Sequence, residues 1–407
     1  MPTPANSSRD TPLAQRLAAL GAELQRWRAF WSAHAFREPV LPWEAERPDL
    51  AAALRALDPE HARRLGADQT ALDGFLGTWF PVERWAALER VDAAPRAKLR
   101  PWPRGFDRDV PGRKWAQIEA FSASVLCAER GTVVDWCAGK AHLGRALAFQ
   151  RGAPGVLALE RDARLTAAAR SLARREDVSL RAETCDVLEE GVRSLVTEAS
   201  QIVALHACGA LHRRLLDVAV AERVPALAVA PCCFHLGPDG HLPRSRAAQD
   251  SDPALRPEDV RTAVQDEVTS GGHARRRREH LQSWQLGFDA LLREYGGRAA
   301  YTAAPGASAR MLAGDFGGYC RDVAAARGIC LPEDIDAARW EARGQERFRE
   351  VSALDLVRRR FRRLIELWLL TDLAVSLEEA GYDVRLECFC APGLSPRNLL
   401  LQASLAA

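Results

Sequence analysis

Between residues 132 and 230 short apolar runs alternate with stretches of helical periodicity, and few folds accommodate that order. The runs are Thr132 to Trp136, Gly155 to Glu160, Val178 to Ala182, Ser200 to His206 and Ala226 to Ala230, with helical patterns at 163–175, 189–198 and 211–222 between them. Strands that are apolar throughout need cover on both faces, and parallel neighbours need a crossover long enough to hold a helix. The pattern therefore predicts a doubly wound, Rossmann-like α/β domain. After a long helical pattern from about Ser352 to Ala380, two more runs, Tyr382 to Phe389 and Asn398 to Ala403, read as a closing hairpin and bring the strands to seven.

Ligands in such sheets sit beyond the carboxyl ends of the strands, close to where the strand order reverses. Asp135, Glu160, Asp186 and His206 stand at or just past the ends of the first four strands. Between the first strand and its helix, the small-residue loop Cys137-Ala-Gly139-Lys140-Ala141 leads to His142 and Gly144. A loop of this kind lets backbone N–H groups approach a ligand at a helix N-terminus. A carboxylate ending the second strand is placed to accept hydrogen bonds from two ribose hydroxyls, and an Asp after the third to accept one from an adenine amino group. Together these residues point to a cofactor that contains adenosine.

The loop lacks the G-x-G-x-x-G spacing that cradles a pyrophosphate, and seven strands with a terminal hairpin also argue against a dinucleotide. S-adenosylmethionine carries no phosphate, and its methionine end bears an ammonium for which Asp135 is the natural partner. Methyl transfer needs alignment of nucleophile, methyl and sulfur, and a base only when the acceptor has a proton to lose. His206 and His235 are the candidates for that base.

Five segments, Asp135-Trp-Cys-Ala-Gly-Lys-Ala-His-Leu-Gly144, Leu205-His-Ala-Cys-Gly209, Cys232-Cys-Phe-His235, Leu377-Glu-Glu-Ala-Gly-Tyr382 and Ser395-Pro-Arg-Asn398, resemble one family in this order. It is the class I methyltransferase family that includes the glutathione-S-transferase C-terminal-domain protein, some methyltransferase-like proteins and the acceptor-stem tRNA 2′-O-methyltransferases. The resemblance spans about 113–407 and is thinnest over 236–350. It implies a seven-stranded class I methyltransferase core that uses S-adenosyl-L-methionine. Carried over by position, it makes Asp135 through Gly144 the cofactor loop, with Cys137, Gly139 and His142 inside it. Glu160 becomes the ribose acid and Asp186 the adenine-side acid. His206 and Cys208 fall where cofactor and acceptor meet, and Cys233 and Lys140 fall on the acceptor side. Ala141 stands where the family usually has Gly, which narrows the loop by a methyl. The Asn/Asp-Pro-Pro-aromatic motif of many amino methyltransferases is missing, as are the zinc-binding flanks of the tRNA enzymes.

The rest of the chain is expected to be helical. Residues 1–11 read as disordered and the N-terminal domain, 1–94, as helical, its Trp27, Trp31, Trp43, Trp79 and Trp85 packing the helices together. Residues 95–112, with four prolines, read as a linker. The core then runs over 113–235 and 351–407, interrupted by a helical insertion over 236–350. A net charge of +2 gives no overall basic field, so a nucleic-acid surface has to be local. Arg275 to Arg278 and the run from Arg358 to Arg363 are the candidates, and an RNA substrate is the expected partner. No apolar run is long enough to span a membrane, and the N-terminus lacks the pattern of a signal peptide, which makes a cytoplasmic location the expectation. Cys208, Cys232 and Cys233 with the two histidines form a conceivable metal set. Adjacent cysteines leaving a strand chelate one tetrahedral ion poorly, so buried thiols lining a pocket are expected and no metal. The alternatives are a protein or small-molecule acceptor, or a cofactor-binding interaction protein without transfer activity, working through its Trp-rich domain.

Overall fold

Seven strands, β1 (Thr132–Trp136), β2 (Gly155–Glu160), β3 (Leu180–Thr184), β4 (Ala199–Leu205), β5 (Ala226–Ala230), β6 (Tyr382–Cys388) and β7 (Leu399–Leu405), form one sheet. They belong to a computed structural model that describes residues 11–126, 131–151, 155–236, 242–264, 272–297, 300–302 and 309–405. Residues 1–10 of the segment expected to be disordered lie outside the described residues. The order is β3-β2-β1-β4-β5-β7-β6, with β1 to β5 parallel and β7 antiparallel to both its neighbours. Chain order reverses at β1, which has β2 on one side and β4 on the other, so a crevice opens over the carboxyl ends of these strands.

Six helices frame that sheet: α1 (Pro12–Arg26), α2 (Gly112–Ser124), α3 (His142–Arg151), α4 (Ala163–Arg175), α5 (Ala210–Ala221) and α6 (Arg362–Glu379). One core joins Ile118 and Phe121 of α2, Leu143, Ala146 and Leu147 of α3, and strand residues Val133, Val156, Val203 and Leu400. The expected linker belongs to this core. Phe106 is buried in it, and Trp102 stacks on Phe149 at 5.6 Å and meets Trp115 edge-on at 4.9 Å. Aromatic residues among the prolines turn the segment into a strap, because burying such rings outweighs the freedom a linker would keep.

The chain divides into two compact units along lines that cut across the boundaries expected from sequence. One comprises Met1–Arg26, Arg84–Asp266 and Arg362–Ala407, the other Trp27–Glu83 and Glu267–Phe361. Thus α1 goes with the sheet and lies against α6, while the rest of the expected N-terminal domain joins most of the insertion. Within the second unit, helices Gly272–Gly296 and Ala337–Arg360 approach so closely that a Cβ on Gly344 would stand 2.3 Å from the Ser283 carbonyl oxygen. Its core holds Trp284, Phe288, Phe316, Tyr319 and Trp340. Trp31, Trp43 and Trp85 are fully buried, the first two in this unit and the third beside Glu23 of α1.

The single amphipathic helix expected over 352–380 is two helices, broken at Phe361. Neither presents the run from Arg358 to Arg363 as a free basic surface. Arg360 is buried and paired with Asp73, Arg358 is buried, and Arg359 donates to the Gly66 carbonyl at 2.8 Å. Helix α6 is buried nearly all round, from Leu364 to Leu377, which is the pattern of a central rather than a surface helix. Arg362 and Arg363 there face the buried Glu366 at 3.8 Å and 2.8 Å. Charges consumed by internal ion pairs do not grip a phosphate backbone, so the run 358–363 drops out as an RNA clamp. Strand β3 begins two residues later than expected, because the Val178 N–H closes the end of α4 on the Ala173 carbonyl. Among the described residues no helix is long and apolar enough to cross a membrane.

Candidate functional site

Three left-handed residues at alternate positions shape the loop from β1 to α3: Cys137 (φ 57°), Gly139 (φ 58°) and Ala141 (φ 55°). Only glycine adopts this conformation freely, and clusters of such strain accompany binding sites. The loop is fastened to the end of β2. The Ala138 N–H reaches the Leu159 carbonyl at 2.9 Å, and the Gly139 N–H reaches Glu160 Oε2 at 2.9 Å. Glu160 Oε1 accepts the Asp162 N–H at 3.0 Å, so each carboxylate oxygen keeps a lone pair for a further donor. A Cβ built on Gly139 meets nothing within 4 Å, which leaves an open approach over the loop.

Ala141 points the other way. Its methyl is fully buried among Ala158, Ala169 and Ala182, between strands and α4. The loop is therefore not narrowed on its ligand side; what Ala costs relative to Gly is backbone strain. Gly144, by contrast, tolerates no side chain, since its Cβ would lie 2.9 Å from Asp135 Oδ2 and 3.0 Å from Val156 Cγ1. Its N–H donates to Asp135 Oδ2 at 2.8 Å. Burial pushes the Asp135 acid up to about 7, although this hydrogen bond and the Lys114 charge pull it down.

His142 opens α3 but turns into the protein. Its Nδ1 lies 2.6 Å from Arg145 Nη2, and the fully buried Arg145 pairs with Glu176 and stacks over Phe106 at 5.1 Å. Burial and the Arg145 charge take His142 down to about 3, so it is a neutral acceptor that positions Arg145. Lys140 is exposed. Asp186, half-buried after β3, accepts the Leu188 N–H at 3.0 Å. Cys137 lies where these groups converge. Burial first, then the charges of Glu160, Asp135, Asp186 and Cys208, raise its thiol to about 12, so it is an inert thiol.

His206 follows β4 with φ 70°, another strained residue. Its Nε2 is 2.7 Å from Gln117 Oε1, and the Gln117 amide nitrogen donates to the Leu394 carbonyl at 3.4 Å. That second bond orients the amide, so Nε2 of His206 carries the proton and Nδ1 presents a lone pair. Desolvation and then the Lys114 charge hold the imidazolium form below its ordinary range. Lys114 and Gln117, one turn apart on α2, are the residues that sequence reasoning missed. The available signal was that Lys114 is one of only three lysines among the 56 basic residues.

Past His206 the loop turns at Gly209 (φ 56°), where a Cβ would sit 1.5 Å from the Leu236 carbonyl oxygen. That carbonyl caps α5 by accepting the Ala210 N–H at 2.8 Å. The loops after β4 and β5 are thereby locked together, with His212 against Phe234 at 5.5 Å as a second contact. The lock brings Cys208, Cys232 and Cys233 together, all three sulfurs within 4.8 Å of one another, contrary to the poor convergence expected of adjacent cysteines. Hydrogen bonding within the cluster raises the Cys232 thiol and lowers that of Cys233. His235 is half-buried in the turn that closes with the Leu236 N–H on the Cys233 carbonyl.

Residues 113–236, which include Asp135, Glu160, Asp186 and His206, match the family model of a methyltransferase domain. No curated protein is recognisably similar to the chain. Among solved structures, the chain is similar at 18% identity and a TM-score of 0.24 to a Pyrococcus abyssi tRNA (uracil-54, C5)-methyltransferase in complex with S-adenosyl-L-homocysteine, over 29% of this chain and 28% of that one. TYW2 from P. horikoshii, in complex with MeSAdo, gives 16% identity and a TM-score of 0.23 over 29% of this chain and 43% of that one. A Bordetella parapertussis protein described as possibly exported covers 100% of both chains at 14% identity and a TM-score of 0.29. The chain thus spans well under two thirds of the first two of these structures. Likeness at this level carries no weight about activity, whereas the strand order and the matched domain make the sheet a class I methyltransferase core. The residues fit that core's cofactor, S-adenosylmethionine: Glu160 has free lone pairs, Asp135 offers a carboxylate and the Gly139 approach is open.

Proposed function

We propose that the chain is an S-adenosylmethionine-dependent methyltransferase whose acceptor is structured RNA. The observation that carries the methyltransferase reading is the row of Asp135, Glu160, Asp186 and His206 at the ends of four adjacent strands around one strained glycine loop, inside the segment that matches a methyltransferase domain. Bound there, S-adenosylmethionine supplies a methyl group already activated on sulfur. Glu160 takes the ribose hydroxyls on the lone pairs left by Gly139 and Asp162, and Asp186 takes the adenine amino group. Asp135 takes the methionine ammonium and Lys114, whose charge acts on Asp135, the carboxylate. His206 accepts the acceptor's proton at Nδ1, held in that tautomer by Gln117. Cys208, Cys233 and the exposed Lys140 lie on the acceptor side.

RNA as acceptor is supported by the resemblance to acceptor-stem tRNA enzymes and by the exposed Arg276 and Arg277 at the start of helix Gly272–Gly296. The reading is tested in two steps. Calorimetry with S-adenosylmethionine should show binding that Glu160→Ala weakens by one to two orders of magnitude, given about 1.5–3 kcal/mol for hydrogen bonds to a charged group; no binding at millimolar cofactor ends the enzyme reading. Labelled methyl groups offered with fractionated cellular RNA and protein should then appear in RNA, and label confined to protein would refute the choice of acceptor.

A further inference from the structure

From the three sulfurs gathered beside the His206 backbone we infer that the loops after β4 and β5 form a zinc site, with Cys208, Cys232 and Cys233 as thiolate ligands and His235, from outside the sulfur cluster, turning in as the fourth. The inference stands apart from the methyltransferase reading and does not depend on it. Three observations carry it. First, the sulfurs are already within 4.8 Å of one another, and Cys208 Sγ is 2.8 Å from Cys232 Sγ, so one ion about 2.3 Å from each sulfur needs only side-chain adjustment. Second, the arrangement is set by backbone features independent of any ion: the cap from the Leu236 carbonyl to Ala210, the glycine at 209 that permits it, and the turn closed on the Cys233 carbonyl. Third, His235, two residues past Cys233, has its ring outside the three-sulfur cluster and must turn in to ligate, but its Nδ1 is buried with no hydrogen-bond partner among the described residues. A buried imidazole nitrogen without a partner among the described residues calls for something to satisfy it, and a metal ion does so.

Thiolate and imidazole donors select a borderline-soft ion, and three Cys with one His is a tetrahedral set known to suit zinc. Binding converts three thiols to thiolates, so each Zn²⁺ taken up displaces up to three protons and leaves a site with a net charge of minus one. The site would staple the β4 loop to the β5 loop and fix the backbone on either side of His206, a structural task that leaves the cofactor crevice free. Four protein ligands fill a tetrahedral zinc, so no open position for a substrate is implied.

The whole chain, expressed with zinc in the medium and purified under reducing conditions, should hold close to one zinc per chain by elemental analysis. Exchange for cobalt should give the intense near-ultraviolet absorption of thiolate ligation. Cys208→Ser and Cys233→Ser should each weaken zinc binding at least tenfold or so, as loss of a metal-site group does, and His235→Ala should weaken it measurably while keeping the far-ultraviolet spectrum of the native fold. Cys330→Ser, an exposed thiol elsewhere, should change nothing. A native chain that contains no metal and binds no added zinc with micromolar affinity overturns the inference. So does a Cys208–Cys232 disulfide found by peptide mapping in the protein purified under those same reducing conditions.

Discussion

The proposed pairing of Asp135 with the methionine ammonium would link protonation to cofactor binding in a way that can be measured. The carboxyl is 2% exposed, accepts the Gly144 N–H, and is pushed up to about 7 by burial. To hold an ammonium it has to be ionised, while an α-ammonium itself stays charged up to a pH of about 7.7. With the acid near 7, its ionised fraction climbs from about one in a hundred at pH 5 to about one half at pH 7. Affinity for S-adenosylmethionine is therefore expected to rise by up to about fifty-fold over that interval, or roughly 2 kcal/mol, with release of a proton on binding. Calorimetry at pH 5, 6 and 7, repeated in buffers of different ionisation enthalpy, measures both. Two controls isolate the cause. Asp135→Asn should flatten the profile, and 5′-methylthioadenosine, which lacks the ammonium, should bind without the rise. Stability moves in the opposite sense. The folded state keeps a proton that the unfolded chain loses, so stability declines as pH rises from about 3.8 to about 7, and the deficit is full above that. Asp135→Asn should accordingly melt higher than the native chain at pH 8 and no differently at pH 4. An affinity flat between pH 5 and 7, or a parallel rise for 5′-methylthioadenosine, would refute the assignment of Asp135 to the ammonium.

Gln117→Ala frees the His206 ring, and turnover should fall about tenfold or more with the KM for S-adenosylmethionine unchanged, since the base is misoriented and the cofactor contacts remain. Arg145→Met leaves the largely buried Glu176 with only the half-exposed Arg175 at 3.1 Å and should destabilise the sheet unit by up to about 3 kcal/mol, read by denaturant titration; adding Glu176→Gln should recover most of it. Gly209→Ala drives a Cβ into the Leu236 carbonyl from a left-handed backbone and should cost about 3 kcal/mol or more, with the thiol cluster disordered, checked by thermal melting and by thiol reactivity.

The sheet and most of its crevice were legible because most of the parallel strands are apolar runs, with a polar residue at or just past the end of each of the first four. Asp135, Glu160, Asp186 and His206 could be read off as strand ends without knowing which strands are neighbours. What stayed hidden depended on partners far away in sequence. The second unit forms from residues 27–83 and 267–361, and neither stretch announces the other. Arginines 358 to 360 look solvated in a helical pattern until Asp73 and the Gly66 carbonyl are found against them. Gln117 is one polar residue on an apolar helix face, and its meaning comes only from the His206 ring 89 positions later. Ala141 was misread for a local reason: residue identity gives the size of a side chain, while the backbone's left-handed turn decides which side of the loop the methyl occupies.

The place of β7 between β5 and β6 sets a timetable for synthesis. Strand β5 is complete at Ala230, yet the neighbour that covers its edge begins at Leu399. At about 5–20 residues per second the ribosome leaves that edge bare for roughly ten to thirty seconds, while the whole second part of the helical unit is made. The exposed strand reads Ala226-Leu-Ala-Val-Ala230, short and apolar with no charge to discourage a foreign strand. Newly made chains of this protein should therefore pass through a sticky, half-closed stage that ends only when β7 slides into its slot, and a chaperone that shields bare strand edges should raise the yield of folded protein far more than one that acts after release.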